Sequence, residues 1–199
     1  MDYLQLLAAA QADPSGADFH TLRMAYARSD AYAPYVFNRV GVQALNQALH
    51  AGDLDAALGA AHDLLASYYL DIEAHMVADY VHTLRDSAGQ AAYHRAFAQG
   101  LIGAILVTGD GRSQGTAFIV LSTSEEYTVL RVLGYKSTMQ RLVLEEDHAY
   151  DVLHAHHTHT GQEAEFYFNI DLPFGWLQRQ KFASGALSHE EQDGHGGTP

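Results

Sequence analysis

The chain contains no cysteine in 199 residues, which excludes disulfides, thiolate nucleophiles and cysteine-based zinc or iron–sulfur centres. Basic residues are scarce, with 11 Lys and Arg against 24 Asp and Glu and a formal net charge of -13. The summed field repels phosphate backbones and anionic lipid surfaces, so nucleic acid and membrane surfaces are excluded as partners. No apolar run approaches the 18 or so residues that a membrane-spanning helix needs. No secretory leader is expected from the first residues: Met1-Asp2-Tyr3-Leu4 opens directly into an amphipathic segment, without a basic start, an apolar centre or a small-residue cleavage site. The chain as written reads as cytoplasmic, and as exported to the periplasm if an N-terminal signal once preceded Met1.

What is present is enough to build a core. Hydrophobic residues make up 48% of the chain and aromatics 11%, ample surface to offset the entropy of ordering it. Thirteen histidines add charge that appears only in mild acid.

The first hundred residues carry helical periodicity. Asp18 precedes FHTLRMAYARS, where Phe19, Leu22 and Tyr26 recur at spacings of three and four, and its carboxylate is placed to cap the first turn. Ser29-Asp30 and Pro34 break that helix, Tyr35 to His50 resumes the period, and Gly52 ends it. GDLDAA at 52–57 and DSAGQA at 86–91 lie 34 residues apart, the period of a tetratricopeptide helix pair. Helices are predicted near 53–68, 71–86 and 88–105. Ala56, Ala57, Gly59, Ala60 and Ala61 keep one of them slim enough for close stacking.

After ILVTGDGRSQG the period becomes alternating. Thr116–Leu121 reads as a strand, and Ser122-x-x-Glu125 or Thr123-x-x-Glu126 as a capping box opening a short helix that ends at Gly134. Tyr135–Leu144, 149–158 and 166–170 read as strands, with a hairpin turn at Thr160-Gly161. From Ser184 onward Gly, His, acid and Pro predict a flexible tail. The expected organisation is a helical region over 1–106, a small β-α-β-β-β region over 107–183 and a tail over 184–199.

Several stretches invite a chemical reading. GRSQG at 111–115 matches the G-x-S-x-G nucleophile elbow, but that motif needs a strand before it and a helix after it, the reverse of the order here. GDGRSQGT fails as a phosphate loop because it lacks the lysine and the glycine spacing. His75, Asp79 and His82 stand at i, i+4 and i+7 on one helix, and a following helix that folds back brings His94 level with His82. Two imidazoles and a carboxylate there can bind zinc or move protons; close helix packing is the structural alternative.

HAHHTH at 154–159 offers a second cluster. Period two sends His154 and His156 to one strand face and His157 and His159 to the other. His154 and His156 are therefore weak metal candidates that need a third ligand, such as Glu163 or Glu165 across the hairpin. No standard zinc spacing is present, and no cofactor is predicted. In FYFNID, Asn169 and Asp171 share a face and can either line a site or satisfy backbone at a strand end.

DFHTLRMAY (18–26), EAH (73–75), HRAFAQGLIGAI (94–105), TGDG (108–111), TAFIV (116–120), EEYTVL (125–130), YDVL (150–153) and YFNID (167–171) occur in this order. Through them the chain resembles an uncharacterised bacterial family, the domain of unknown function 4919, over roughly residues 2–175. The resemblance imports no activity. It implies that export signals are frequent among relatives, and it directs attention to His75, His94, Asp110, Glu126, Tyr150, Asp151, Asn169 and Asp171, which lie in or beside the matching stretches.

The expected fold is α+β, with N-terminal tetratricopeptide-like helical hairpins packed on a small C-terminal mixed or antiparallel sheet carrying one short helix. The expected function is binding: a groove between the halves that takes a partner protein, a peptide or a small ligand. The alternative is a hydrolase that uses His75, His94, Asp110, Asn169 and Asp171 as acid–base groups or metal ligands.

Overall fold

The computed structural model describes residues 1–35, 39–145 and 147–190. The helical half comprises α1 (Tyr3–Ala12), α2 (Phe19–Ala27), α3 (Arg39–Ala51), α4 (Leu54–Ser67), α5 (Ile72–Leu84) and α6 (Ala88–Leu106). Aspartates start four of them. Asp2, Asp18, Asp53 and Asp71 each accept a hydrogen bond from the amide three residues on, satisfying a donor that has no partner inside the helix. Residues 36–38, within the helix predicted from Tyr35, lie outside the described residues.

The 34-residue recurrence marks equivalent turns. Gly52, at the α3–α4 turn, and Asp86, at the α5–α6 turn, both hold positive φ, at 69° and 55°. Each lets one helix end and the next begin within a few residues. Successive helices α3 to α6 pack on one another through small side chains, with Ala57, Ala61 and Ala74 fully buried beside Leu64, Leu65, Val77 and Val81.

A connector with one 3-10 turn (Gln114–Thr116) leads to the second half: β1 (Phe118–Ile119), α7 (Thr123–Val132), β2 (Tyr135–Glu145), β3 (His148–His157), β4 (Glu163–Asn169) and α8 (Asp171–Glu190). The sheet order is β1-β4-β3-β2, with β1 parallel to β4 and the other pairs antiparallel. The class is α+β with a mixed sheet. Phe118, Leu153, Phe166 and Phe168 join Leu22, Phe97, Leu101, Ile105, Val129 and Leu130 in the largest core cluster, so α2, α6 and α7 share one apolar interior with the sheet. The opposite face carries a smaller cluster of Ala117, Tyr150 and Val152.

Three local expectations are corrected. The strand predicted over 116–121 is only Phe118–Ile119, because backbone groups on either side are taken elsewhere. The Thr116 carbonyl accepts from the Gly111 amide, the Leu121 amide donates to Glu125 and the Leu121 carbonyl accepts from the Tyr32 hydroxyl. The capping box does not close: Ser122 makes no side-chain cap, and Glu125 reaches back to Leu121 instead. Helix is also present beyond Ser184, where a tail is predicted, since α8 extends to Glu190; residues 191–199 lie outside the description. Among the described residues, no helix is long and apolar enough to cross a membrane.

Candidate functional site

Where α7 enters from the sheet half, its first turn stands opposite the ends of α3, α4 and α5, and a cleft of about 730 Å³ opens between them. Tyr26, Leu45, Leu64, Ile72 and Leu121 give it apolar walls, and Asp71, Glu73, Ser122, Ser124 and Arg131 supply polar groups. Burial pushes the Asp71 carboxyl up despite a hydrogen bond from the Ala74 amide. Across the cleft Arg131 of α7 donates to Glu73 of α5 at 3.2 Å. A volume of this size with mainly apolar lining and a few converging polar groups suits a small ligand or a peptide segment.

The cleft wall is fixed by a buried ion pair. Arg23 on α2 is 0% exposed and Glu125 on α7 is 4% exposed. The guanidinium donates to both Glu125 oxygens, at 2.7 and 3.4 Å, and to the carbonyls of Ala104 and Ile119. Glu125 also accepts the Leu121 amide at 2.7 Å. One side chain thereby joins α2, α6, β1 and α7, and the many hydrogen bonds offset the desolvation of both charges. Sequence reasoning passed over Arg23, yet Phe19, Leu22, Arg23 and Tyr26 stand at i, i+3, i+4 and i+7, so an arginine occupies a slot on the apolar stripe.

The residues singled out from the sequence fall into separate groups. His75 and His94 come together between α5 and α6, with Nδ1 to Nδ1 at 2.9 Å. His75 is fully buried and stacked on Phe97 with ring centroids 4.6 Å apart, and its Nε2 donates to the Tyr69 carbonyl at 2.9 Å. Burial holds both imidazoles down, to about 4, each reinforced by neighbouring histidines, so both are neutral at neutral pH. A carbonyl only accepts, which puts the His75 proton on Nε2 and leaves its Nδ1 as an acceptor. His94 must therefore donate from Nδ1, and its Nε2 carries a free lone pair. Asp79 stands apart from this chain of bonds, held by both ends of the Arg95 guanidinium.

Glu126 and Asp151 form the second group, beneath α7. Glu126 is 1% exposed and its carboxyl is set against that of Asp151, in reach of sharing a proton with it though outside strict hydrogen-bond geometry. Burial, then the neighbouring Asp151, pushes it up to about 9. It is thus a neutral acid at pH 7. Asp151 is held by the Gln140 amide at 2.7 Å, and Gln140 in turn accepts from the Tyr127 hydroxyl.

Asn169 and Asp171 form the third. Asp171 accepts from the Ala149 amide at 2.7 Å, from His148 at 2.7 Å and from the Asn169 amide. Burial pushes its carboxyl up, but these bonds outweigh it and the net shift is down. The pair ties β3, β4 and the start of α8 together, the strand-end role weighed from the sequence. Tyr150, opposite Asn169 in the β3–β4 register, packs against Ala117 and Val152 on the face away from the main core. Asp110 is exposed, its oxygen accepting the Arg112 amide, and borders a shallower cleft with Arg112 and Phe166.

The hairpin histidines split as the period requires. His154 sits opposite Glu165 and His156 opposite Glu163, His154 bonding Glu165 at 2.8 Å, while His157 packs on Tyr135 across the other face. Among the described residues, the grouping of three metal-ligand side chains lies elsewhere: His62, His82 and His94 bring one ring nitrogen each within 4.8 Å of one another. His62 went unnoticed in the sequence because a lone histidine in an alanine-rich helix has no informative spacing. Ser113 of GRSQG is exposed and bonds Thr116.

A family model described as Domain of unknown function (DUF4919) matches residues 3–176. No curated protein and no solved structure matches the chain.

Proposed function

The chain belongs to the domain of unknown function 4919 family, and from the geometry of its cleft we propose that it is a binding protein. The groove between α3–α5 and α7 takes a peptide segment or small ligand with an apolar body and a polar end. The observation that carries this reading is the 730 Å³ cleft itself, walled by a buried ion pair that holds the two halves in register. Apolar walls supply affinity through surface removed from water, and the Glu73–Arg131 pair and the polar start of α7 orient the occupant.

The hydrolase alternative has less to rest on. His75 is sealed under helices with both nitrogens committed, and Asp110 and the Asn169/Asp171 pair lie on other elements than His94, whose Nε2 alone stays available.

A fragment library screened by ligand-observed NMR, with amide shifts mapped on labelled protein, tests the proposal. Hits are expected to shift amides of α3, the start of α5 and the start of α7, and Gln43→Trp, which fills the cleft from an exposed helical position, is expected to abolish them. Hits that persist in that variant, or that map to the cleft beside Asp110, would refute it.

A further inference from the structure

Three consecutive helices each contribute one histidine to a single spot: His62 from α4, His82 from α5 and His94 from α6. We propose that these three imidazoles form a binding site for a divalent first-row transition-metal ion, with zinc the best match. One ring nitrogen of each already lies within 4.8 Å of the other two. Tetrahedral zinc with nitrogen ligands at 2.0–2.1 Å needs nitrogens about 3.3 Å apart. His62 is exposed and His82 half-buried, so rotation of these two side chains closes the difference while His94 stays in place.

The second observation is how His94 is held. Its Nδ1 is spent on His75, whose far nitrogen is anchored to the Tyr69 carbonyl. That relay fixes the tautomer and leaves Nε2 as the nitrogen available to an ion. Metal-binding histidines usually have this support, the outer ring nitrogen donating to a fixed acceptor that sets orientation and raises basicity. Here the acceptor is a second imidazole, stacked on Phe97 and so unable to swing. The His82 ring lies nearly parallel to His94 with centroids 5.7 Å apart, and the His62 ring is tilted 30° to it at 6.4 Å.

Imidazole ligands without thiolate or carboxylate suit zinc, copper, nickel or iron rather than calcium or magnesium. Three neutral ligands leave the ion its full charge, and the exposed His62 side leaves a coordination position open to water. Two charges that act on His94 and His82 are already paired, Asp79 with Arg95 and Arg85 with Asp55. None of the three histidines lines the groove. The groove takes the start of α5, whereas His82 stands near the end of that helix, and it reaches α4 at Leu64, two residues beyond His62. The metal site stands or falls independently of the binding proposal.

Zinc titrated by calorimetry into full-length, tag-free, chelator-stripped protein provides the test. One equivalent is expected to bind, His62→Ala and His82→Ala each weakening it at least 100-fold, and cobalt is expected to give the visible bands of a four- or five-coordinate ion. Neither residue is in the core, so both variants are expected to fold, with circular dichroism as the check. The double variant H154A/H156A, which removes the hairpin pair, is expected to bind as the parent does. Absence of binding, binding that survives His62→Ala and His82→Ala, or loss in the hairpin variant would each overturn the assignment.

Discussion

Arg23 and Glu125, 102 positions apart in sequence, meet at 2.7 Å with both charges out of water. Removing one partner strands the other in the interior. Arg23→Met is expected to cost about 3–5 kcal/mol in urea unfolding, and R23M/E125L to recover much of that loss. A single variant as stable as the double would mean that the surviving charge finds water.

Glu126 sets a slope in stability with pH. Its carboxyl titrates near its ordinary 4.5 in the unfolded chain and near 9 in the folded one. Between those values unfolding releases a proton, so this contribution is complete below about 4.5, falls as pH rises and is gone above about 9. Glu126→Gln keeps the shape without the ionisation. It is expected to match the parent at pH 4 and exceed it at pH 8, the gap widening on the order of 1 kcal/mol per pH unit. Parallel urea midpoints for parent and variant across that range would contradict the buried neutral acid.

Gly100 lies in the interior of α6, where alanine normally stabilises by up to about 1 kcal/mol. Here a Cβ would stand 2.2 Å from the Phe19 ring. Gly100→Ala is therefore expected to destabilise, by about 1–3 kcal/mol, with Phe19→Leu restoring part of the loss. Thermal melting of the single and double variants checks the reversal of sign.

Asp171 holds the Ala149 amide at the junction of β3 and α8. Asp171→Ala leaves that donor without its acceptor, an expected cost of about 1–3 kcal/mol, while Asp171→Asn, which retains a carbonyl oxygen, loses less. Hydrogen exchange at Ala149 should rise in step. Unchanged exchange in the alanine variant would move Asp171 from the strand-end role toward a ligand role.

The helical half was readable because each of its signals is local. Aspartate caps precede α2 and α4, the apolar period runs through each helix, and the Gly52 and Asp86 turns repeat at 34 residues. The α8 helix was missed because Leu172-Pro173 looks like a break. Pro173 falls in the first turn, where its missing N–H has no helical partner to lose. Glu126 and Asp151 were flagged separately, but nothing in either stretch reports that they face each other. His82 and His94 are brought level by the short α5–α6 turn that the sequence shows, whereas His62 joins them only through the packing of α4 on α5.

Among the described residues the sheet ends on β2, which pairs with β3 alone, and Met139, Leu142 and Leu144 on it are more than half exposed. An eleven-residue outermost strand with apolar side chains offers a template for another chain to add to. Two features blunt it: the register shift between Ser137 and Met139 breaks the straight row of amides, and Lys136 and Glu145 add exposed charge to the strand. The irregularity in β2 thus makes this strand a poorer template for edge-to-edge pairing than its length and apolar side chains alone would give.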